Sequence, residues 1–552
     1  MKPCNIHALP ANLPRLRGKG GLVVCLLLLC STLCSLAEHR KPRKKNEEKI
    51  HLVHADLLSS DQFANPGAQT FSGNVAFLHA GMKLTCDSAV HYQASNSFEA
   101  FGHVRMTQGD TLSLTGDRLF YDGETLIAEV RHNVVMTHRK QVLKTDSLNY
   151  DRLYNVGYYF DGGELIDGKN VLTSDWGEYH TDTRLSTFNY NVELKNPKFR
   201  LVSDTLHYDT RTKWAELAGR SNIYSGQNRI YTERGFYNTE TERARLYDKT
   251  ELHNGPRHMR GDSILYDKKS GWTRAYRNIF YQDKENKQIL TGHYGQYNEL
   301  TGEAMATDSA LAKDYSSAED TLFVHGDTLR LYTYYMHTDS VFRKLHGYLH
   351  VRAYRRDVQA VADSLVFNSQ LRRMTLYRDP IIWNENRQIV GEEINVFLND
   401  STIDSIYVDR QALLAERIDS LKYNQVSGGR MRSYYENGEM RLNCVDENVR
   451  SVYYPIEKDS LILQQNYMET PKMRMYMQDR KMAKLWGAAG TADLYPIGTA
   501  PKERTYLNGF TWFDYIRPLS KHDLFEWRPK RKGSELKPSF RKQAPLQHLS
   551  IQ

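Results

Sequence analysis

Met259-Arg260-Gly261-Asp262-Ser263-Ile264-Leu265-Tyr266-Asp267 decides how the whole chain is read, because the phrase recurs. It returns as Thr115-Gly116-Asp117-Arg118-Leu119-Phe120-Tyr121-Asp122, as Lys144-Thr145-Asp146-Ser147-Leu148-Asn149-Tyr150-Asp151 and as Val202-Ser203-Asp204-Thr205-Leu206-His207-Tyr208-Asp209. Acidic anchors stand at Asp87, Asp117, Asp146, Asp175, Asp204, Glu233 and Asp262, with a constant step of 29 residues from Asp117 onward. The series continues at His293, Asp327, Asp363 and Glu393 in longer steps. A fixed period of this kind marks a repeat architecture, in which each unit buries its apolar face only against its neighbours.

Within a unit, the anchor and the positions two and four later share one face of an extended chain. Those positions hold Leu119/Tyr121, Leu148/Tyr150, Leu206/Tyr208, Ile264/Tyr266, Leu365/Phe367 and Asn395/Phe397. Alternation with one apolar face predicts a strand whose inner side meets a core. Turn residues follow, as in Asp209-Thr210-Arg211-Thr212, and a second strand closes each unit, as in Ala100–Met106 and Ala275–Tyr281. Two strands of 6 to 10 residues per unit are expected, with the recurrent Asp at strand entry. The reading is an elongated all-β body from Ile50 to Tyr407. Beyond it, Asp409–Leu421 is the best helix candidate, with Leu413, Ile418 and Leu421 along it. Met431–Tyr454 reads as strand-turn-strand about Asn437-Gly438. Pro496, Pro501, Pro518 and Pro529 punctuate a loop-rich end, and 528–552 is expected to be disordered.

Composition fits an exported, polar β protein. Tyrosine numbers 36 and proline 16, which favours strands over disorder, and mean hydropathy is −0.63. Residues 1–37 read as a signal peptide: Lys2, Arg15, Arg17 and Lys19, then the apolar Leu22–Leu33, then Ser35-Leu36-Ala37. The net charge of +8 comes from that segment, from a basic linker at 38–50 and from a basic tail at 528–552. The body between is mildly acidic, so nucleic acid is not an expected partner. Without the signal segment only Cys86 and Cys444 remain, read as two buried thiols rather than a disulfide.

At this point the residues carry a family likeness. Gly73-Asn74-Val75 followed by Cys86-Asp87-Ser88-Ala89-Val90-His91-Tyr92, and Leu114–Asp122, resemble the OstA-like (LptA-type) family of lipopolysaccharide transport. The likeness is clearest from about 50 to 290. The tail from 420 to 527 resembles the C-terminal portion of long OstA-like proteins. The resemblance implies a β-jellyroll, a folded-over sheet whose apolar interior holds the acyl chains of lipid A, possessing no catalytic activity and no cofactor. Its implied partners are lipopolysaccharide, the outer-membrane translocon and the inner-membrane export components, with head-to-tail self-assembly through open sheet edges. It also implies a periplasmic location. The chain departs from short members in length, which suggests two fused jellyrolls, 51–230 and 231–407, followed by a β-rich region at 408–527. Too little chain follows 407 for a long membrane barrel.

The expected groove-lining row is Val104, Leu119, Tyr121, Val134, Leu148, Tyr150, Val192, Leu206, Tyr208, Ile223, Ile264, Tyr266 and Ile279. Each of these is first of all a core residue, so the row as a whole carries the functional reading. His51/His54 and His346/His350 have ligand-like spacing but lack a third ligand, and the anchors lack a calcium loop; no metal site is expected. No nucleophile elbow or phosphate loop occurs. Two alternatives stay open: a structural or adhesive β-repeat rod with a filled core, and a β-helical polysaccharide-active enzyme.

Overall fold

The computed structural model describes residues 48–539 apart from 62, 64–65, 317–320, 400–401 and 457–460. The expected signal peptide, most of the basic linker and the last part of the basic tail therefore lie outside the described residues. The rest is nearly all β: 36 strands among the described residues form one antiparallel sheet in an elongated jellyroll. Sequence neighbours pair throughout, strand 68–79 with 82–92, 82–92 with 97–108, 97–108 with 112–122, and onward in the same way. Most strands between 68 and 298 are 11 or 12 residues long. They exceed the expected 6 to 10 because each continues through the bend instead of stopping at it.

Asp87, Asp117, Asp146, Asp204, Glu233 and Asp262 lie in mid-strand, at a sharp bend, and not at strand entry, whereas Asp175 and Asp327 stand just before a strand and Glu393 opens one, as expected. On the following strand the register slips at two residues held in the left-handed region: His132/Asn133, Tyr190/Asn191, Asp248/Lys249 and Arg277/Asn278. Such bulges bend a strand. The anchor carboxylate sits on the outside and accepts a hydrogen bond from that bulge, sixteen residues later. Asn133 Nδ2 reaches Asp117 at 2.7 Å, Asn191 reaches Asp175 at 2.7 Å, and Lys249 Nζ reaches Glu233 at 2.9 Å. Glycine is required where the two sides crowd: at Gly102, with φ +71°, a Cβ would stand 2.3 Å from the Asp87 carboxylate. The bend is strong enough to fold each strand back on itself. Phe71 and Phe77 flank the Gly73-Asn74 bulge, and their rings lie 5.9 Å apart edge-to-face, whereas six extended residues would separate them by roughly 20 Å.

Two layers result, with apolar side chains between them. One continuous core runs from Ile50 to Leu246. A second runs from Val324 to Met473, and only small groups around Ile264, Ala275 and Ile279, and around Ala306, Ala310 and Leu329, join them.

The C-terminal sheet differs from the rest in being buried on both faces. Residues 403–417 form a strand, which corrects the expected helix. The run Ala412-Leu413-Leu414-Ala415 lacks alternation because Leu414 faces the interior while Leu413 and Ala415 face an outer core. Uniformly apolar strands are ambiguous with helices on pattern alone. The outer core consists of Val361, Ile381, Trp383, Val390, Leu413, Val452 and Tyr467, covered by Leu507, Phe513 and Ile516. A strap spanning 504–517 thus crosses the back of the sheet. Three glutamines grip its backbone and a fourth holds a side chain: Gln465 Nε2 donates to the Arg504 carbonyl, and Gln425 takes the Thr505 carbonyl and the Leu507 N–H. Gln388 takes Thr511 and Phe513, while Arg517 donates to Gln359. The Asn437-Gly438 turn joins its two strands as the sequence predicts.

Residues 528–539, expected to be disordered, are docked. Lys530 pairs with Asp379 at 2.5 Å, and the Lys537 carbonyl accepts from Gln411 Nε2 at 2.8 Å. Ser539 donates its N–H to Glu392 at 2.7 Å. Burial alone would raise the Glu392 carboxyl, but hydrogen bonds from Ser539, Gln411 and Arg410 outweigh it and hold it at about 2. A carboxyl depressed on folding stabilises above its unfolded range and loses that contribution as pH falls through the folded value. Residues 530–539 should therefore resist proteolysis at neutral pH and lose that protection as pH drops from about 4.5 toward about 2. Limited digestion by an acid-active protease across that range checks this. Glu392→Gln should shift the loss to neutral pH.

Candidate functional site

Folding each strand in two brings the two rows of hairpin turns together, so the jellyroll has a seam along one side. Over the N-terminal core this seam is stapled. His79 Nε2 donates to the Glu48 carbonyl at 2.9 Å, which leaves Nδ1 to accept from the Tyr121 hydroxyl at 2.8 Å. Arg152 donates to the same hydroxyl and to the Ala80 carbonyl. Burial lowers the pKa of His79, in keeping with a neutral ring. The next staples follow at the repeat's pace: His138 meets the Tyr179 hydroxyl at 2.8 Å, and Tyr208 donates to Asp167 at 2.7 Å. Buried Asp167 also takes Lys213 Nζ at 2.5 Å and Gln141 at 3.0 Å. Lys198 and Glu242 pair at 2.6 Å across the seam.

The expected groove-lining row faces inward as the alternation requires. Val104, Leu119, Tyr121, Val134, Leu148, Tyr150, Val192, Leu206, Tyr208, Ile223, Ile264 and Ile279 are all buried. Tyr266 is only half-buried, and it marks a change. From there the small residues Gly261, Ala275, Gly292, Gly295, Ala306 and Ala310 line the inside of the bends. Less side-chain volume fills the space, and the larger inward residues Leu252, Met259, Tyr281, Leu290, Tyr297 and Leu345 are left half-buried. Tyr281 and Tyr297 stack at 6.4 Å beside the Arg257–Asp283 pair, and burial pushes the Tyr281 hydroxyl up to about 12. The middle of the molecule thus presents an apolar, aromatic interior with an accessible rim.

At the C-terminal end the seam is closed again. Arg387 donates to the Arg480 carbonyl at 3.1 Å, and Arg480 pairs with Glu385 at 3.2 Å. Beneath them a cavity of about 50 Å³ is lined by Leu414, Met440, Met473, Met475, Met477, Met482 and Leu485. Methionine adapts its shape to apolar surroundings, so this lining tolerates varied contents. The sequence signal for it, the run Met473-Arg474-Met475-Tyr476-Met477, sits beyond the repeat and is missed by a search on period.

The histidines of ligand-like spacing make structural contacts. His54 bonds the Asn74 carbonyl, His350 bonds the anchor Asp327, and His346 bonds Tyr348. Cys86 is buried and Cys444 half-buried, both as free thiols. Among the described residues no helix is long and apolar enough to cross a membrane, which does not bear on crossing by strands.

Residues 47–204 match the family model described as OstA-like protein. Among solved structures, the chain is similar to LptH of Pseudomonas aeruginosa, described as the LptA homologous periplasmic component of the conserved lipopolysaccharide transport device. That match has 13% identity and a TM-score of 0.11, and covers 32% of this chain and 95% of the other. Among curated proteins none matches the chain.

Proposed function

We propose, from the match of residues 47–204 to the OstA-like family model, that the chain is a periplasmic lipopolysaccharide-transport protein. It shields lipid A acyl chains in the apolar interior of the jellyroll and bridges toward an outer-membrane translocon. One observation supports this most: a continuous inward apolar row runs between two layers and becomes accessible at Tyr266, Tyr281 and Tyr297. Each methylene moved from water into such an interior is worth about 0.8 kcal/mol, so a multi-chain lipid gains strongly from it. The stapled stretches at either side hold the two layers in register, and the half-buried middle is the point of entry. The core break between Leu246 and Val324 supports two jellyrolls joined in one sheet. The reading assigns no catalysis.

The test is site-specific photo-crosslinking in cells that make lipopolysaccharide. A photoreactive residue replacing Tyr266 or Tyr281 should label lipopolysaccharide strongly, and one at Tyr150 or Tyr208 more weakly, because those positions are fully buried in the stapled stretch. Folded, abundant protein with no lipid label at any of the four positions would leave the rod reading standing in its place.

A further inference from the structure

We propose that Glu251, His253 and His258 form a binding site for a transition-metal dication of the zinc type. The three lie on the outer face of the hairpin made by strands 243–254 and 257–267, at the start of the accessible middle stretch. His253 and His258 are directly opposed in the ladder, and their rings stack at 4.4 Å with planes 8° apart. Glu251 is two residues before His253 on the same face. Its Oε2 lies 3.4 Å from His253 Nε2 and 3.8 Å from His258 Nε2, and all three ligand atoms fall within 4.8 Å of one another. Tetrahedral ligands about 2.0–2.1 Å from zinc stand roughly 3.3–3.4 Å apart. The Glu251–His253 separation already meets this, and the stacked rings must tilt toward each other for both imidazole lone pairs to meet at one ion.

One further observation points at a ligand. His258 Nε2 is buried and makes no hydrogen bond. A buried polar atom without a partner calls for an explanation, and a cation held between the three side chains supplies one. Arg260, opposite Glu251 in the ladder, sets its guanidinium over the Phe280 ring at 4.9 Å. Two imidazoles and one carboxylate suit zinc, cobalt or nickel better than magnesium or calcium, and three protein ligands leave a fourth position for water or an exogenous ligand. Bound metal would cross-link both strands of the hairpin tip that borders the accessible interior.

Titration of the full chain with Co²⁺ and Zn²⁺, followed by calorimetry and the visible absorption of tetrahedral cobalt, tests the site. One equivalent should bind, zinc should displace cobalt, and His258→Ala should weaken binding by about tenfold or more. Glu251→Gln keeps the side chain's shape and should also weaken binding while leaving the metal-free melting curve unchanged. His51→Ala with His54→Ala should bind as the parent does. Absence of saturable binding at one equivalent would overturn the proposal, as would unaltered binding by both the His258 and Glu251 variants.

Discussion

Ending the chain at Lys502 will make residues 360–480 protease-sensitive and leave residues 68–246 resistant. The C-terminal sheet is buried on its outer face only because the strap supplies Leu507, Phe513 and Ile516. Without them Ile381, Trp383, Leu413 and Val452 face water, a contiguous apolar patch on strands whose inner faces are also apolar. A point variant reads the same contact more finely. Gln388 accepts from the Phe513 N–H at 2.8 Å, donates to the Thr511 carbonyl at 2.9 Å and accepts from Trp383 Nε1 at 3.2 Å. Gln388→Ala strands these groups in a dry contact, where each unsatisfied group costs about 1–3 kcal/mol. Trp383→Ala, which empties the largest fully buried site, should cost about 3–5 kcal/mol. Limited proteolysis with fragment mass mapping distinguishes local opening of the C-terminal sheet from global unfolding. Equal digestion of both halves in the truncated chain would contradict the independence of the two cores.

Lys213→Met should destabilise the N-terminal core by about 3–5 kcal/mol, because it leaves a buried carboxylate unpaired. Asp167 is 4% exposed and depends on Lys213, Tyr208 and Gln141 for its compensation. Replacing both members, Lys213→Met with Asp167→Asn, should recover most of the loss, since an amide carries no charge and can still bond Tyr208 and Gln141. Denaturant midpoints for the two single variants and the double variant form the cycle that checks this. Strict additivity of the two single effects would mean that Lys213 acts through its solvated stem and not through the pair.

How much of this was legible in the sequence depended on periodicity. The anchors, the alternation and the tyrosines at 121, 150, 179, 208, 237 and 266 share one 29-residue step, so the stacked strands and the inward row followed directly. The bend did not follow, because its bulge is filled variously by Gly-Asn, Gly-His, His-Asn, Tyr-Asn and Asp-Lys. A signal existed in the asparagines at 133, 191 and 278, each sixteen residues past an acidic anchor. The docked strap had no such trace. Glutamines at 359, 388, 425 and 465 are unremarkable on their own, and only the fold lines them up behind one segment. The helix expected at 409–421 failed for a related reason: a strand covered on both sides loses the alternation by which strands are known. The metal-type cluster escaped because His253 and His258 are neighbours only across a hairpin turn.

The strap also imposes an order in time. In the N-terminal array each rung pairs with the rung before it, so the structure can close behind a chain that emerges from its N-terminal end. The grips on the strap reach back 82 residues to Gln425, 125 to Gln388 and 158 to Gln359. The back of the C-terminal sheet must therefore wait, bare and apolar, until nearly all of the described residues have emerged. Growth of one half is incremental, while the other finishes in a single late step, and that interval is when the chain is most exposed to aggregation.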